Sequence, residues 1–504
     1  MYDILIIGGG ATGSGIALDS ALRGFKTILF EQNDFSEGTS SRSTKLAHGG
    51  VRYLEAAVKH LDKKQFSLVL EGLRERYRIL NNAPHLSNRL SLITPVYKWL
   101  QVPYIYSGLV LYDLLSGKFR VGRSSLILNK PENLPVKKYK AAVKYYDGQF
   151  LDARMVIAIL KTAAENSAEI YNHHKVTGFI FDKGKIAGVK VLDRESGEIK
   201  KIYSKTVINA TGPFSDEIRK TADKNVKNII VPSRGVHIVL DKKFLPVNEG
   251  LLIPKTEDGR VLFILPFMDK CLVGTTDVEA DIEEHPKVSE EEIDYILKHI
   301  NRYFTLNVTK DDILASFAGI RPLVSLDKKT NTANIVREHI IEKLECGLVT
   351  IAGGKWTTYR QMAQDAVDFV IKNFGFKDIK CRTYDYKLIG SRNLKEAYEK
   401  YKNGKYERLL KLYGDETEQV LKMGEDVLVE DILKGEVLFS IRMEYAKKPL
   451  DFIVRRSMVG IVDRVKAKRI LEPVCKIFKK EFGWSDEKYQ NELISAQKIL
   501  DTDI

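Results

Sequence analysis

The opening stretch YDILIIGGGATGSG, Tyr2 to Gly15, constrains the fold more than any other part of the chain. An apolar run of strand length ends in Gly8, Gly10 and Gly13 and passes into a helical pattern toward Leu22. Gly8 permits a tight turn, Gly10 lets backbone approach a pyrophosphate, and Gly13 lets helix pack on strand; the helix N-terminus favours the phosphate charge. A second strand, KTILFE, ends in Glu31. A carboxylate there accepts from a ribose hydroxyl and repels a 2′-phosphate. The chain therefore reads as an α/β protein built on a Rossmann-type dinucleotide domain. Flavin and nicotinamide chemistry both use this opening.

At 504 residues the chain exceeds one compact core, so two or three domains are expected. The segments KVTGFIFD, KIAGVKVLD and KTVINATGPFSD read as strands bounded by turns. The last returns to a glycine turn at Thr211, Gly212 and Pro213, so distant residues complete the nucleotide sheet. The nucleotide domain is expected to be discontinuous, over 1–80, 150–230 and 318–380. Residues 81–149 and 231–317 form the substrate domain, in which SRGVHIVL, GLLIP, RVLFILPF and KCLVGTTD read as a largely antiparallel sheet. Past Cys381 glycine turns thin out and helical spacing dominates, giving an α-helical C-terminal domain over 381–504.

Several function classes drop out. Cys271, Cys346, Cys381 and Cys475 have no paired spacing, so neither a disulfide framework nor a metal or iron–sulfur site is expected. The net charge of +13 comes from 80 Lys and Arg scattered among 67 acids, without the aromatic interleaving of a nucleic-acid surface. The densest cluster, Arg455, Arg456, Arg464, Lys466, Lys468 and Arg469, reads as a solvated helix face. The N-terminus opens directly into a strand with no secretory leader, and a reducing, cytoplasmic setting is expected. No apolar run is long enough to span a bilayer. WLQVPYIYSGLVLYDLL, Trp99 to Leu115, carries one charge, Asp113, and is flanked by Lys98, Lys118, Arg120 and Arg123. Two readings stand for it: a core helix, or an element at an anionic headgroup boundary through Trp99, Tyr104, Tyr106 and Tyr112.

Three separated cations sit beside rigid turns. Arg52 follows two glycines in HGGVRYLE, Arg321 precedes Pro322 in GIRPL, and Lys355 follows Gly353 and Gly354. Fixed in this way, they converge on a phosphate as bidentate or point-charge partners. Oxidising a secondary alcohol needs a base for the hydroxyl proton and a hydride acceptor at the same carbon. His237, in SRGVHIVL, is the candidate base, with Tyr53 and Thr357 as partners for substrate oxygens. SSRSTK, Ser40 to Lys45, offers hydroxyls to a pyrophosphate or to ring carbonyls, and GGKWTTYR offers backbone N–H groups and a helix end to a reduced isoalloxazine.

The strings GGGATGSGIA, TSSRSTKLAHGGVRYLE, VINATGPFSD, VGTTD, GIRPLV and GGKWTTYR, in this order, resemble the respiratory, FAD-dependent glycerol-3-phosphate dehydrogenases from the first strand into the helical C-terminal region. The resemblance implies oxidation of sn-glycerol 3-phosphate to dihydroxyacetone phosphate, with hydride passing to FAD and electrons to membrane quinone. It implies substrate contacts at Arg52, Tyr53, Lys355 and Thr357, His237 as base, and Arg321 stabilising the developing alkoxide. The cofactor-binding residues on this reading are Gly8, Gly10, Gly13, Glu31, Ser40, Ser41, Lys45, His48, Gly49, Ala210, Gly212, Gly353, Gly354 and Thr358. Peripheral attachment to the cytoplasmic face of the membrane is expected, and homo-oligomerisation is left open. Two departures matter: the cysteine cluster of the anaerobic members is missing, and Trp356 stands where a smaller aliphatic residue is common. A soluble oxidase reducing oxygen to peroxide shares the motifs near the flavin and is the main alternative. An amine or amino-acid oxidase is a second, and it leaves Arg52 and Lys355 without a purpose.

Overall fold

The computed structural model describes residues 1–128, 134–137, 139–253, 261–325 and 338–502; within the helix Val51–His60 the side chains of Arg52, Ala56 and His60 lie outside the described set. Alternation along the first strand explains the nucleotide domain. In Tyr2–Ile7, Ile4 and Ile6 pack into the core under the helices Ala11–Leu22, Asp152–Glu165 and Tyr359–Phe374. Leu5 and Ile7 point the other way, onto Val176, Phe179, Val189 and Val191 of the antiparallel strands His174–Asp182 and Lys185–Asp193. A strand buried on both faces in this way belongs inside a parallel sheet. It pairs in parallel with Thr27–Phe30 on one side and Ile199–Asn209 on the other, and Ile199–Asn209 pairs in parallel with Val349–Gly353. Residues far from the N-terminus thus complete the sheet, as the glycine turn after Asn209 implied.

A second, ten-stranded sheet carries the chemistry. Its long pair, Ile230–Asp241 against Ile313–Val324, runs antiparallel from Ile230 opposite Val324 to Leu240 opposite Ile313. The boundary drawn at 318 falls inside this pair, at Ala318 opposite Val236. Ladder hydrogen bonds tie a strand to its sheet along its whole length, so Ile313–Val324 lies entirely in the second sheet. Leu46–Ala47, drawn with the nucleotide domain, likewise pairs with Gln149 and Gly148 there. The second sheet therefore takes residues from across the expected cuts, whereas every strand of the first lies within the expected 1–80, 150–230 and 318–380.

The C-terminal region is helical, with Lys434–Met443, Arg464–Phe482 and Asp486–Asp501 as its main elements. The basic cluster does not form one solvated face. Arg455 and Arg456 lie in a π-helical turn, Asp451–Arg456, and are 5 % and 0 % exposed. Arg456 grips Asp34 with both ends of its guanidinium; Arg455 Nε lies 2.5 Å from Asp34 Oδ2 and its Nη2 2.8 Å from Asp451 Oδ1. A cation run shows none of this, because the carboxylate arrives from the other end of the chain. Arg469 keeps the predicted exposure.

The aromatic segment divides its two readings between two faces. Val102, Leu109 and Tyr112 of the helix Val102–Ser116 are buried, whereas Trp99, Leu100, Tyr104 and Leu114 are exposed. Tyr112 is 0 % exposed, so it faces the interior rather than a headgroup boundary. Among the described residues no helix is long and apolar enough to cross a membrane.

Candidate active site

One cavity of about 1320 Å³ runs from the N-terminal glycine turn to His237. That exceeds the roughly 300–1,000 Å³ of a pocket for a single small ligand. At its nucleotide end Gly8 has φ +110°, and a Cβ there would lie 2.6 Å from the Ala210 carbonyl oxygen. A Cβ on Gly10 would meet Ser40 Oγ at 2.9 Å, and one on Gly13 would lie 1.9 Å from the Gly8 carbonyl oxygen. Only glycine keeps that turn and that helix-to-strand approach. Ser40 Oγ accepts from Ala11 N–H at 2.9 Å, at the start of the helix Ala11–Leu22. Glu31 accepts from Gly9 N–H at 2.7 Å and from Asn33 N–H at 3.0 Å. Gly8, Gly10, Glu31, Ser40, Ala210 and Gly212 all line the cavity; Gly13 does not and serves the packing. A glycine cradle at a helix N-terminus followed by an acid at the second strand's end fits the pyrophosphate and ribose of FAD.

At the other end the second sheet supplies the reactive side chains. His237 is 1 % exposed, stacks on Phe317 at 4.9 Å, and places Nε2 2.9 Å from Thr44 Oγ1. Burial, with the positive charges of Lys45 and Arg321, holds its imidazole well below the ordinary pKa, so the ring is neutral. Arg321 stands opposite Ser233, places its guanidinium against Gly235, and donates to Thr275 Oγ1 at 2.9 Å and the Thr276 carbonyl at 3.0 Å, with Asp277 3.6 Å away. Its guanidinium takes the space a Cβ on Gly235 would need, since that atom would lie 2.0 Å from Nη2. Lys355 Nζ sits 3.7 Å above the Tyr53 ring. Thr357 Oγ1 accepts from His48 N–H at 3.2 Å. Tyr53, His48, Gly353, Gly354, Lys355 and Thr357 line the same cavity as His237 and Arg321. Arg52 starts the same helix as Tyr53, but its side chain lies outside the described residues.

Besides Gly13, four residues assigned to the cofactor do not line the cavity. Lys45 is fully buried, with Nζ 2.7 Å from Asp152 Oδ2 and 2.5 Å from the Ser41 carbonyl. Ser41 Oγ turns back to the Gly38 carbonyl, and Thr358 Oγ1 to that of Lys355. Gly49 N–H donates to Tyr112 Oη at 2.8 Å, behind the cavity wall. Their neighbours face the cavity instead, because an irregular loop has no fixed period from which to read its inward side. Trp356 donates from Nε1 to the Ser40 carbonyl at 2.9 Å and packs edge-on against Phe150 and Tyr359. It braces the cofactor loop from its place in the wall.

Sequence reasoning offered Thr44 only as one of the SSRSTK hydroxyls and passed over Phe317 and Asp277; all three touch or approach His237 or Arg321. The string VGTTD was a usable signal for Asp277, since it ends a strand that faces His237 at Gly274. Phe317 carried none, because its position opposite His237 exists only in the strand register.

This fold and this site define an FAD-dependent oxidoreductase: residues 3–360 match the family described as FAD dependent oxidoreductase. Residues 381–489 match the family described as the C-terminal domain of alpha-glycerophosphate oxidase. The chain is 41 % identical over 533 residues to the mitochondrial glycerol-3-phosphate dehydrogenase of Homo sapiens, covering 99 % of this chain and 73 % of that protein. It is 39 % identical over 541 residues to the mitochondrial glycerol-3-phosphate dehydrogenase SDP6 of Arabidopsis thaliana, covering 99 % and 86 %. The X-ray structure of the Bacillus halodurans glycerol-3-phosphate dehydrogenase complexed with FAD superposes with a TM-score of 0.80 at 31 % identity, over 99 % of this chain and 94 % of that one. The chain belongs to the glycerol-3-phosphate dehydrogenase family of FAD-dependent oxidoreductases.

Proposed function

We propose that this protein oxidises the C2 hydroxyl of sn-glycerol 3-phosphate to the ketone of dihydroxyacetone phosphate. The observation that carries the reading is the joint placement of a neutral, buried His237 with Arg321 and Lys355 in the cavity that begins at the glycine cradle. FAD, when bound, supplies the acceptor for the hydride leaving C2. His237 takes the hydroxyl proton, for which an unprotonated imidazole is required. Arg321, held by Thr275, Thr276 and Asp277, cannot follow solvent and presents fixed charge to the oxygen that becomes anionic. Lys355 and Arg52 hold the phosphate, while Tyr53 and Thr357 bond its oxygens or the glycerol hydroxyls. Gly8, Gly10, Glu31, Ser40, Ala210, Gly212, Gly353 and Gly354 line the cofactor's course.

Electrons leave for membrane quinone, with the protein attached peripherally to an anionic bilayer on its cytoplasmic face. The reading is supported by exposed apolar side chains on two touching elements: Val58 and Leu61 at the end of the helix Val51–His60, and Trp99, Leu100 and Tyr104, the last donating to Glu55 at 3.1 Å with Lys59 over its ring. Lys63, Lys64 and Lys98 are exposed as well. Aromatic rings flanked by cations suit a headgroup region. Anaerobic stopped-flow reduction of the flavin by glycerol 3-phosphate, followed by reoxidation with a soluble quinone or with oxygen, tests both halves. Fast bleaching and fast reoxidation by quinone are expected. An unbleached flavin overturns the substrate assignment, and preferential reoxidation by oxygen with peroxide formation overturns the acceptor.

A further inference from the structure

The two nitrogens of His237 have different surroundings. Nδ1 is buried with no hydrogen-bond partner among the described residues, and Phe317 covers the ring. Nε2 lies 2.9 Å from Thr44 Oγ1, and Thr44 lines the cavity. A proton passing between His237 and the cavity contents therefore uses Nε2, the atom beside which Thr44 stands.

Thr44 cannot easily move aside. Ser43 donates to Asp152 Oδ2 from its N–H at 3.2 Å and its Oγ at 2.7 Å, and Lys45 Nζ donates to the same oxygen at 2.7 Å. Asp152 is fully buried at the start of the helix Asp152–Glu165. Thr44 is thus pinned between two neighbours anchored to one carboxylate. A neutral imidazole offers one N–H and one lone pair. If Nε2 is the basic atom, the Thr44 hydroxyl donates to it, and the threonine oxygen is left as an acceptor on the cavity side.

We propose that Thr44 is a catalytic residue that relays the substrate hydroxyl proton to His237. The proposal rests on the reading of His237 as the base. The C2 hydroxyl hydrogen passes to Thr44 Oγ1 as the Thr44 hydrogen passes to Nε2. The released O–H electron pair forms the second bond of the C2 carbonyl, and FAD, when bound, would take the C2 hydrogen with its electron pair. Threonine ends with the hydroxyl it began with, and His237 holds one added proton.

The test compares the wild type with Thr44→Val, Thr44→Ser and His237→Asn, each with its bound FAD counted by absorbance. Anaerobic flavin reduction by glycerol 3-phosphate is followed in mixtures of H₂O and D₂O, and the His237 nitrogens are followed by ¹⁵N NMR. The relay predicts a bowed proton inventory in the wild type and an Nε2 lone pair in the NMR spectrum. It predicts a roughly 100-fold slower Thr44→Val, with a linear inventory, and a Thr44→Ser that keeps most of the rate. Thr44→Val at the wild-type rate beside a crippled His237→Asn overturns the relay and leaves the base assignment standing. His237→Asn at the wild-type rate overturns the base assignment itself. Should Thr44→Val fail to hold FAD, the wild-type inventory and the NMR tautomer still decide: a linear inventory, or a proton on Nε2, overturns the proposal.

Discussion

Replacing Tyr112 by Phe removes one oxygen from a buried junction behind the substrate turn. That oxygen accepts from Gly49 N–H at 2.8 Å and donates to Asp147 Oδ1 at 2.8 Å, while Arg76 Nη1 holds the same carboxylate oxygen at 2.6 Å. The ring stays, so no cavity opens, and Arg76 keeps Asp147 paired. What is lost is a hydrogen bond to a charged acceptor, about 1.5–3 kcal/mol, and the partner of a buried N–H, about 1–3 kcal/mol. Both are lost with the one atom, so together they come to about 2.5–6 kcal/mol. Gly49 precedes Gly50, whose left-handed φ of +83° turns the chain into the helix bearing Tyr53. Loosening the turn therefore lowers the fraction of molecules competent to bind. Substrate affinity falls tenfold for about each 1.4 kcal/mol spent on re-closing it. The assay is the substrate dependence of anaerobic flavin reduction, together with amide exchange at residues 48–50. With about 1.4–2.8 kcal/mol of that cost falling on re-closure, KM rises by about 10- to 100-fold, the limiting rate changes little, and the Gly49 amide exchanges faster. Unchanged KM with unchanged Gly49 exchange refutes the reasoning.

Other expected outcomes follow from the same structure. Arg456→Met leaves Asp34 with less of its buried pairing, at a cost of about 3–5 kcal/mol, and loosens the loop between Asn33 and Thr44 that lines the cavity; thermal denaturation and flavin content after gel filtration both fall. Gly13→Ala puts a methyl 1.9 Å from the Gly8 carbonyl oxygen, so the helix shifts and FAD titration of the stripped protein shows weakened binding. Burial, with the charges of Arg154 and Lys161, lowers the His85 pKa to about 3, so the unfolded chain binds this proton first. That contribution to stability is complete above the unfolded value of about 6.5 and is lost as pH falls toward the folded one. Urea midpoints drop across that window, and His85→Leu flattens the decline; equal slopes in both proteins count against this.

The nucleotide domain was legible because its signals are local: a strand, glycines at Gly8, Gly10 and Gly13, and an acid at Glu31 each state their own role. That Arg321 and Lys355 reach one cavity was legible as well, since both sit beside rigid turns. Domain edges were not, because the strand Ile313–Val324 reads the same whichever sheet takes it, and only its pairing with Ile230–Asp241 assigns it. Arg455 and Arg456 misled for a related reason: burial of a cation depends on a carboxylate that sequence distance hides. The place of Tyr112 stayed open in the sequence because one apolar helix can bury one face and expose the other, and a stretch with so few charges does not say which ring belongs to which.

The most direct test of the site as a whole is the anaerobic rate of flavin reduction by glycerol 3-phosphate against that by glycerol. Both carry the same C2 alcohol, so base, alkoxide partner and flavin are common, and only the phosphate contacts differ. Recognition through Lys355 and Arg52 predicts that glycerol 3-phosphate reduces the flavin at least about 1,000-fold more efficiently, and that Lys355→Met removes most of the difference. Equal reduction by the two alcohols, or an undiminished preference in Lys355→Met, contradicts it.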